Sequence, residues 1–154
     1  MTVLFRRILV PHDFSEHAGR ALRVAADLAG RDERLTVLHV VVPFYAFPGF
    51  PPAEQAAWMP PPNLESETQR KLEAAVARTL GRRARNVVCR VVIGDPYQVI
   101  VEAAGRVDSV VMATVGRTGL SHLLIGSVAE KVVCHSPVPV LTIGAASASP
   151  RSRA

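Results

Sequence analysis

Five short runs of β-branched and aliphatic residues alternate along this chain with segments whose apolar residues recur at helical spacing. That alternation is the signature of βαβ units, so an open parallel sheet with helices on both faces is expected. The first run, Arg7-Ile-Leu-Val-Pro11, is stopped by its proline. Ser15 then caps a helix with Ala18, Ala21, Leu22, Ala25 and Ala29 on one face, and Gly30 ends it. Leu35 to Val42 is apolar at almost every position, as a strand covered on both faces should be. Asn63 opens a second helix carrying Leu64, Thr68, Leu72, Val76 and Leu80 at steps of four, ended by Gly81, and its strand is Asn86 to Ile93. Asp95-Pro96 joins a cap residue to a proline in the first turn and predicts a helix with Val99, Ile100, Ala103, Ala104 and Val107 inward. Asp108 to Thr114 is the fourth strand and Val140 to Ile143 the fifth; between them Ser127 to His135 is a short helix with Val128, Ala129, Val132 and Val133 inward.

With 154 residues and a hydrophobic fraction of 49%, the chain can build one core of ordinary size. One domain over residues 1–144 is expected, and the Ala/Ser/Arg-rich tail 145–154 is expected to be disordered. The longest apolar run, Leu35 to Phe47, is interrupted by His39 and Pro43, and Arg6 and Arg7 follow the first apolar residues rather than precede them. Neither a membrane span nor a signal peptide is expected. Cys89 and Cys134 lie far apart with no metal-ligand spacing, which reads as two small buried hydrophobes kept as thiols, in a cytoplasmic setting.

The net charge is +5, and nearly all the cations are arginine. No acid occurs between Glu73 and Asp95, where Arg78, Arg82, Arg83, Arg85 and Arg90 fall. A nucleic-acid patch would suit that charge, but no aromatic residues interleave the arginines, so a solvated helix end and an edge strand are the better reading. The segment from Pro43 to Pro62 holds Pro48, Pro51, Pro52, Pro60 and Pro61 together with Phe44, Tyr45, Phe47, Phe50, Trp58 and Met59. It reads as one long loop, laid on the domain's own flank or closing over a partner or ligand.

The stretch Val110 to Val128 points most directly at chemistry, because it runs from a buried strand through Gly116 and Gly119 to Gly126-Ser127 at a helix start. Glycine lets backbone amides approach a ligand, and the first amides of a helix favour an anion. If strands one and four are neighbours, this loop meets Pro11-His12-Asp13 beyond the carboxyl ends of the strands, where such sheets bind ligands. Gly116, Gly126 and Ser127 then offer amides and a hydroxyl to phosphates, while Val40 and Met112 wall a base. Asp13 can accept hydrogen bonds from a ribose or hold a phosphate-bound divalent ion; it could equally cap the next helix. Neither the dinucleotide fingerprint nor a P-loop is present, and Lys131 reads as a solvated charge. His39 reads as a core residue tied by a hydrogen bond, and His17 and His135 as surface residues. His12 and His122 flank the site, but no nucleophile–base spacing emerges, so binding is better supported than turnover.

Taken together, Ile8-Leu-Val-Pro-His-Asp-Phe-Ser-Glu16, Leu38-His-Val40, Gly94-Asp-Pro96, Val110-Val-Met112, Gly116-Arg-Thr-Gly-Leu-Ser121, Leu124 to Lys131 and Ser136 to Leu141 resemble the universal stress proteins, in that family's order and over residues 5 to 143. The resemblance implies a flavodoxin-like, Rossmann-like open sheet of five parallel strands in the order 3-2-1-4-5, and a homodimer joined through the last strand, Val138 to Ile143. Its ATP-binding branch carries Gly-x-x-Gly, nine residues, then Gly-Ser/Thr. Gly116, Gly126 and Ser127 fit; Ala113 stands in place of the first glycine, and Val115 in place of the usual histidine. Carried over, the family's ATP contacts are Pro11, Asp13, Val40, Met112, Ala113, Gly116, Gly126, Ser127 and Val128, with His12 and Arg117 in the same two loops. The resemblance thus implies an ATP-binding stress sensor or regulator, with Mg2+ or Mn2+ on the nucleotide, at most slow hydrolysis and protein partners of unknown identity. Ala113 and Val115 leave a second reading, an interaction module of the same fold that binds no nucleotide. An alanine at 113 is harmless at negative φ and costs about 1 kcal/mol at positive φ.

Overall fold

A computed structural model describes residues 5–29, 34–43, 49, 51–115 and 125–144. Its strands are β1 (Arg7–Pro11), β2 (Arg34–Val41), β3 (Val87–Ile93), β4 (Ser109–Ala113) and β5 (Val140–Ile143). Its helices are α1 (Glu16–Leu28), α2 (Pro52–Ala57), α3 (Leu64–Leu80), α4 (Pro96–Ala104) and α5 (Ser127–His135). All four strand pairings are parallel, and the order is β3-β2-β1-β4-β5. The expected sheet is therefore the observed one.

Each face of the sheet buries its own cluster. On one, Ile8, Val10, Val37 and Val111 pack against Leu22 and Ala25 of α1 and against Leu72 and Val76 of α3. On the other, Leu9, Leu38, Val110 and Met112 meet Ile100 and Ala104 of α4 and Ala129 and Val132 of α5. Successive residues of β1, β2 and β4 supply opposite clusters, which is why these runs show no polar alternation.

Five local readings need correction. The segment 43–62 is not wholly a loop: Pro52 starts α2, because a proline at the first helical position surrenders no hydrogen bond and alanines come after it. Beyond that helix Trp58 is half-buried and Met59 is 83% exposed. Gly81, at φ 56°, ends α3 as expected, but the chain then winds a 3-10 turn over Gly81–Asn86, tied down by the Arg83 guanidinium on Asp27 at 2.8 Å and on the Ala26 carbonyl. The arginines from Arg78 to Arg90 are exposed at that helix end and along β3, an edge strand. Within α5, Val133 is 45% exposed and Cys134 is exposed, since the helix turns Ala129 and Val132 to the sheet and α4 and leaves its other side to solvent. Cys89 is half-buried, and burial pushes its thiol up to about 11. Finally, His17 is half-buried, with its Nδ1 enclosed and without a hydrogen-bond partner in the described structure. Gly30, Phe44, Tyr45, Phe47, Phe50 and the tail 145–154 lie outside the described residues.

The starts of β1 and β4 are joined by Asp108. Its carboxylate accepts from the Arg6 and Arg7 amides at 3.0 and 2.9 Å and from the Arg7 guanidinium at 2.7 Å. Hydrogen bonding by the Arg7 side chain, ahead of the backbone bonds, holds this carboxyl below its ordinary value of 3.8. A depressed folded pKa means stability that is complete above the unfolded value and lost as pH falls through the folded one. Asp108→Asn is therefore expected to flatten the acid limb of the stability curve below about pH 4, measured by urea unfolding across that range.

Candidate functional site

β1 and β4 are adjacent and parallel, whereas the chain between them has gone out through β2 and β3 and returned. At this switch point the turn after β1 and the loop after β4 diverge, and a cavity of about 280 Å3 opens beyond the carboxyl ends of the strands. Pro11, His12, Asp13, Val40, Met112, Ala113, Gly126, Ser127 and Val128 all line it. The remaining two sequence candidates, Gly116 and Arg117, lie outside the described residues, as does His122.

The first turns of three helices reach this cavity through Ala18 of α1, Pro96 and Ile100 of α4, and Ser127 to Ala129 of α5. Two of them are closed by their own caps: Ser15 Oγ accepts from the Ala18 amide at 3.1 Å, and Asp95 Oδ1 from the Gln98 amide at 2.9 Å. α5 has no side-chain cap, since its N-cap is Gly126. Its first helical bond runs from the Glu130 amide to the Gly126 carbonyl, so among the described residues the amides of Ser127, Val128 and Ala129 have no helical acceptor. With the positive end of the helix dipole, a helix start of this kind favours an anion.

Gly126 is required by a close approach. Its amide donates to the Thr114 carbonyl at 2.6 Å, and a Cβ there would stand 3.1 Å from that same oxygen. The glycine lets the chain re-enter α5 flush against the end of β4. Ala113 is extended in β4, and Phe14 is the one non-glycine at positive φ among the described residues. The methyl at 113 therefore carries no backbone strain.

The opposite wall is the turn from His12 to Ser15. Asp13 Oδ1 accepts from the Ser15 amide at 3.0 Å, so Asp13 shapes the turn while Ser15, not Asp13, caps α1. The Phe14 amide donates to His12 Nδ1 at 3.1 Å, which places the proton of the neutral imidazole on Nε2. Burial holds His12 below its ordinary pKa, the Asp13 charge acting against this and His39 with it. His39 Nδ1 donates to the His12 carbonyl at 2.7 Å, the tie expected of a core histidine. The floor is apolar, from Leu38, Val40, Ile100 and Met112, and Asp13 is the one acid among the lining residues. No group of three His, Cys, Asp or Glu among the described residues could hold a metal ion.

Among the lining residues that sequence reasoning missed are His39, Val42, Pro96, Thr114 and Val115. Only the capping pair Asp95-Pro96 announced its position, by starting a helix at the ligand-bearing end of the sheet. The positive φ of Phe14, 68°, has no sequence signal at all.

The universal stress protein family matches this chain over residues 4–144, and the chain belongs to that family. A universal stress protein of Thermus aquaticus is 32% identical over 143 residues, covering 91% of this chain and 99% of its own. The structure of UspA from Lactobacillus plantarum is similar at a TM-score of 0.67, with 28% identity over 89% of this chain and 96% of that one. An Arabidopsis thaliana family protein with AMP bound shares the fold at a TM-score of 0.60 and 22% identity, covering 95% of both chains. No helix among the described residues is long and apolar enough to cross a membrane.

Proposed function

We propose that this universal stress protein binds ATP in the switch-point cavity and acts as a nucleotide-dependent stress sensor or regulator. The observation that carries the reading is the start of α5, which lines the cavity without a side-chain cap while the other two helices there are capped. A polyphosphate satisfies the first amides of α5, Val40 and Met112 flank the base, and Asp13 takes the ribose hydroxyls. AMP bound to the Arabidopsis relative supports an adenine nucleotide as the ligand. Mg2+ or Mn2+ enters with the phosphates. Hydrolysis is at most slow, because the described lining holds no lysine or arginine and His12 Nδ1 is occupied by the Phe14 amide.

The active unit in this reading is a homodimer joined through residues 138–143 in the cytoplasm. β5 is an edge strand and Leu141 on it is 44% exposed, an edge that pairing with a second copy would cover. Protein freshly purified without added nucleotide, then denatured, is expected to release adenine nucleotide to ion-pair chromatography. Release of a different cofactor in its place would count against the reading. Ala113→Gly is expected to change ATP affinity by less than about threefold, because no strain is relieved at that position. Calorimetric titration checks it, and a large gain would mean that the methyl obstructs the ligand.

A further inference from the structure

We infer that His39 is a positioning residue of the nucleotide site: by holding the His12 carbonyl it fixes the turn that presents Asp13 to the ribose. The inference rests on the ATP reading and adds to it a lining residue that acts on Asp13 through the His12 carbonyl.

His39 is 7% exposed, and its neighbours at alternate positions on β2, Leu35 and Val37, belong to the apolar cluster under α1 and α3. An imidazole in that row costs stability unless it is hydrogen-bonded, so packing alone would favour valine or leucine. Its Nδ1 reaches across to the neighbouring strand's exit instead. The His12 amide still donates to the Leu38 carbonyl at 2.9 Å, continuing the ladder one rung past β1, but the His12 carbonyl goes to the His39 side chain. The chain leaves the sheet under the control of that imidazole.

The turn beyond His12 is under tension. Phe14 is held at φ 68°, a left-handed backbone that an aromatic residue disfavours and that persists only where its surroundings over-determine it. Three restraints supply this: the Phe14 amide on His12 Nδ1, the Ser15 amide on Asp13 Oδ1, and the Phe14 ring against the His39 ring at 4.5 Å between centroids. His39 takes part in the last and anchors the residue that makes the first. Without it the turn relaxes and Asp13 moves, while the α5 amides, carried by β4 and Gly126, stay in place.

That separation gives the test. Titrations of wild type, His39→Leu and His39→Asn with Mg·ATP and with inorganic tripolyphosphate read the two halves of the site independently. His39→Leu is expected to weaken ATP about tenfold and to leave tripolyphosphate within about twofold, since only the ribose half depends on the turn. The Asn Nδ2 occupies nearly the place of the His Nδ1, so His39→Asn is expected to recover most of the ATP affinity. If His39→Leu does not fold, His39→Gln replaces it, its donor one carbon further out, with the same selective loss expected. Equal weakening of both ligands, or ATP binding as in wild type, overturns the inference and leaves the ATP reading standing. A wild-type protein that takes up neither ligand removes both.

Discussion

Gly126→Asp is expected to weaken Mg·ATP binding by at least about a hundredfold while leaving the protein folded. Two effects act together. The new Cβ stands 3.1 Å from the Thr114 carbonyl, so the entry into α5 must shift by a few tenths of an ångström against backbone. The carboxylate then arrives at the N-cap of a helix that has no side-chain cap, and accepts from the amides that a phosphate would otherwise use. An aspartate cap favours the helix, which is why folding should survive a change that removes the ligand. Calorimetry with Mg·ATP, alongside a thermal melt without ligand, separates these effects. A folded variant that binds within about tenfold of wild type would show that the phosphates do not lie at α5.

Leu22→Ala is expected to cost about 2–5 kcal/mol of stability, a large share of the roughly 5–15 kcal/mol that a domain of this kind has. Leu22 is fully buried on α1, in the cluster that holds Ile8, Val10, Val37, Leu72 and Val76. The walls around it are strands and two helices, which cannot collapse into the space of three missing carbons. Urea unfolding should show a lower midpoint with an unchanged slope. Saturating Mg·ATP should raise the midpoint of wild type and variant alike, because the cavity lies at the end of the sheet and not in that cluster. A loss below about 1 kcal/mol would mean that the cluster repacks.

The parallel sheet and its two buried faces were legible in the sequence because β1, β2 and β4 are apolar without alternation and each of the four expected helices has its own spaced stripe, whereas the strand order followed only from the resemblance to the universal stress proteins. Start and stop signals worked where a side chain acts on its own neighbourhood. Ser15, Asp95-Pro96 and Gly81 all do what their types predict. The readings failed where the deciding contact is remote. Pro52 looked like one more loop proline because a helix start and a loop use the same residue. Val133 looked inward because nothing in the sequence says which side of α5 the sheet and α4 leave to solvent.

The site divides in the same way. Ser127 and Gly126 were found from spacing, because a helix start after a buried strand is a local pattern. The role of the glycine was not, since it depends on the Thr114 carbonyl twelve residues earlier in the chain. His39 was read as a tied core residue, which is correct, but its partner on the other side of the β1 exit could be seen only in three dimensions. Ala113, the residue that departs from the family's glycine pattern, proves to lie in ordinary extended backbone.

Calorimetric titration of the wild-type protein with Mg·ATP tests the central claim most directly. A saturable heat with one site per chain, lost in Gly126→Asp, is the result expected of a cavity whose anion site is the start of α5. The absence of any binding heat from the folded protein, with no adenine nucleotide already bound to it, would contradict the account.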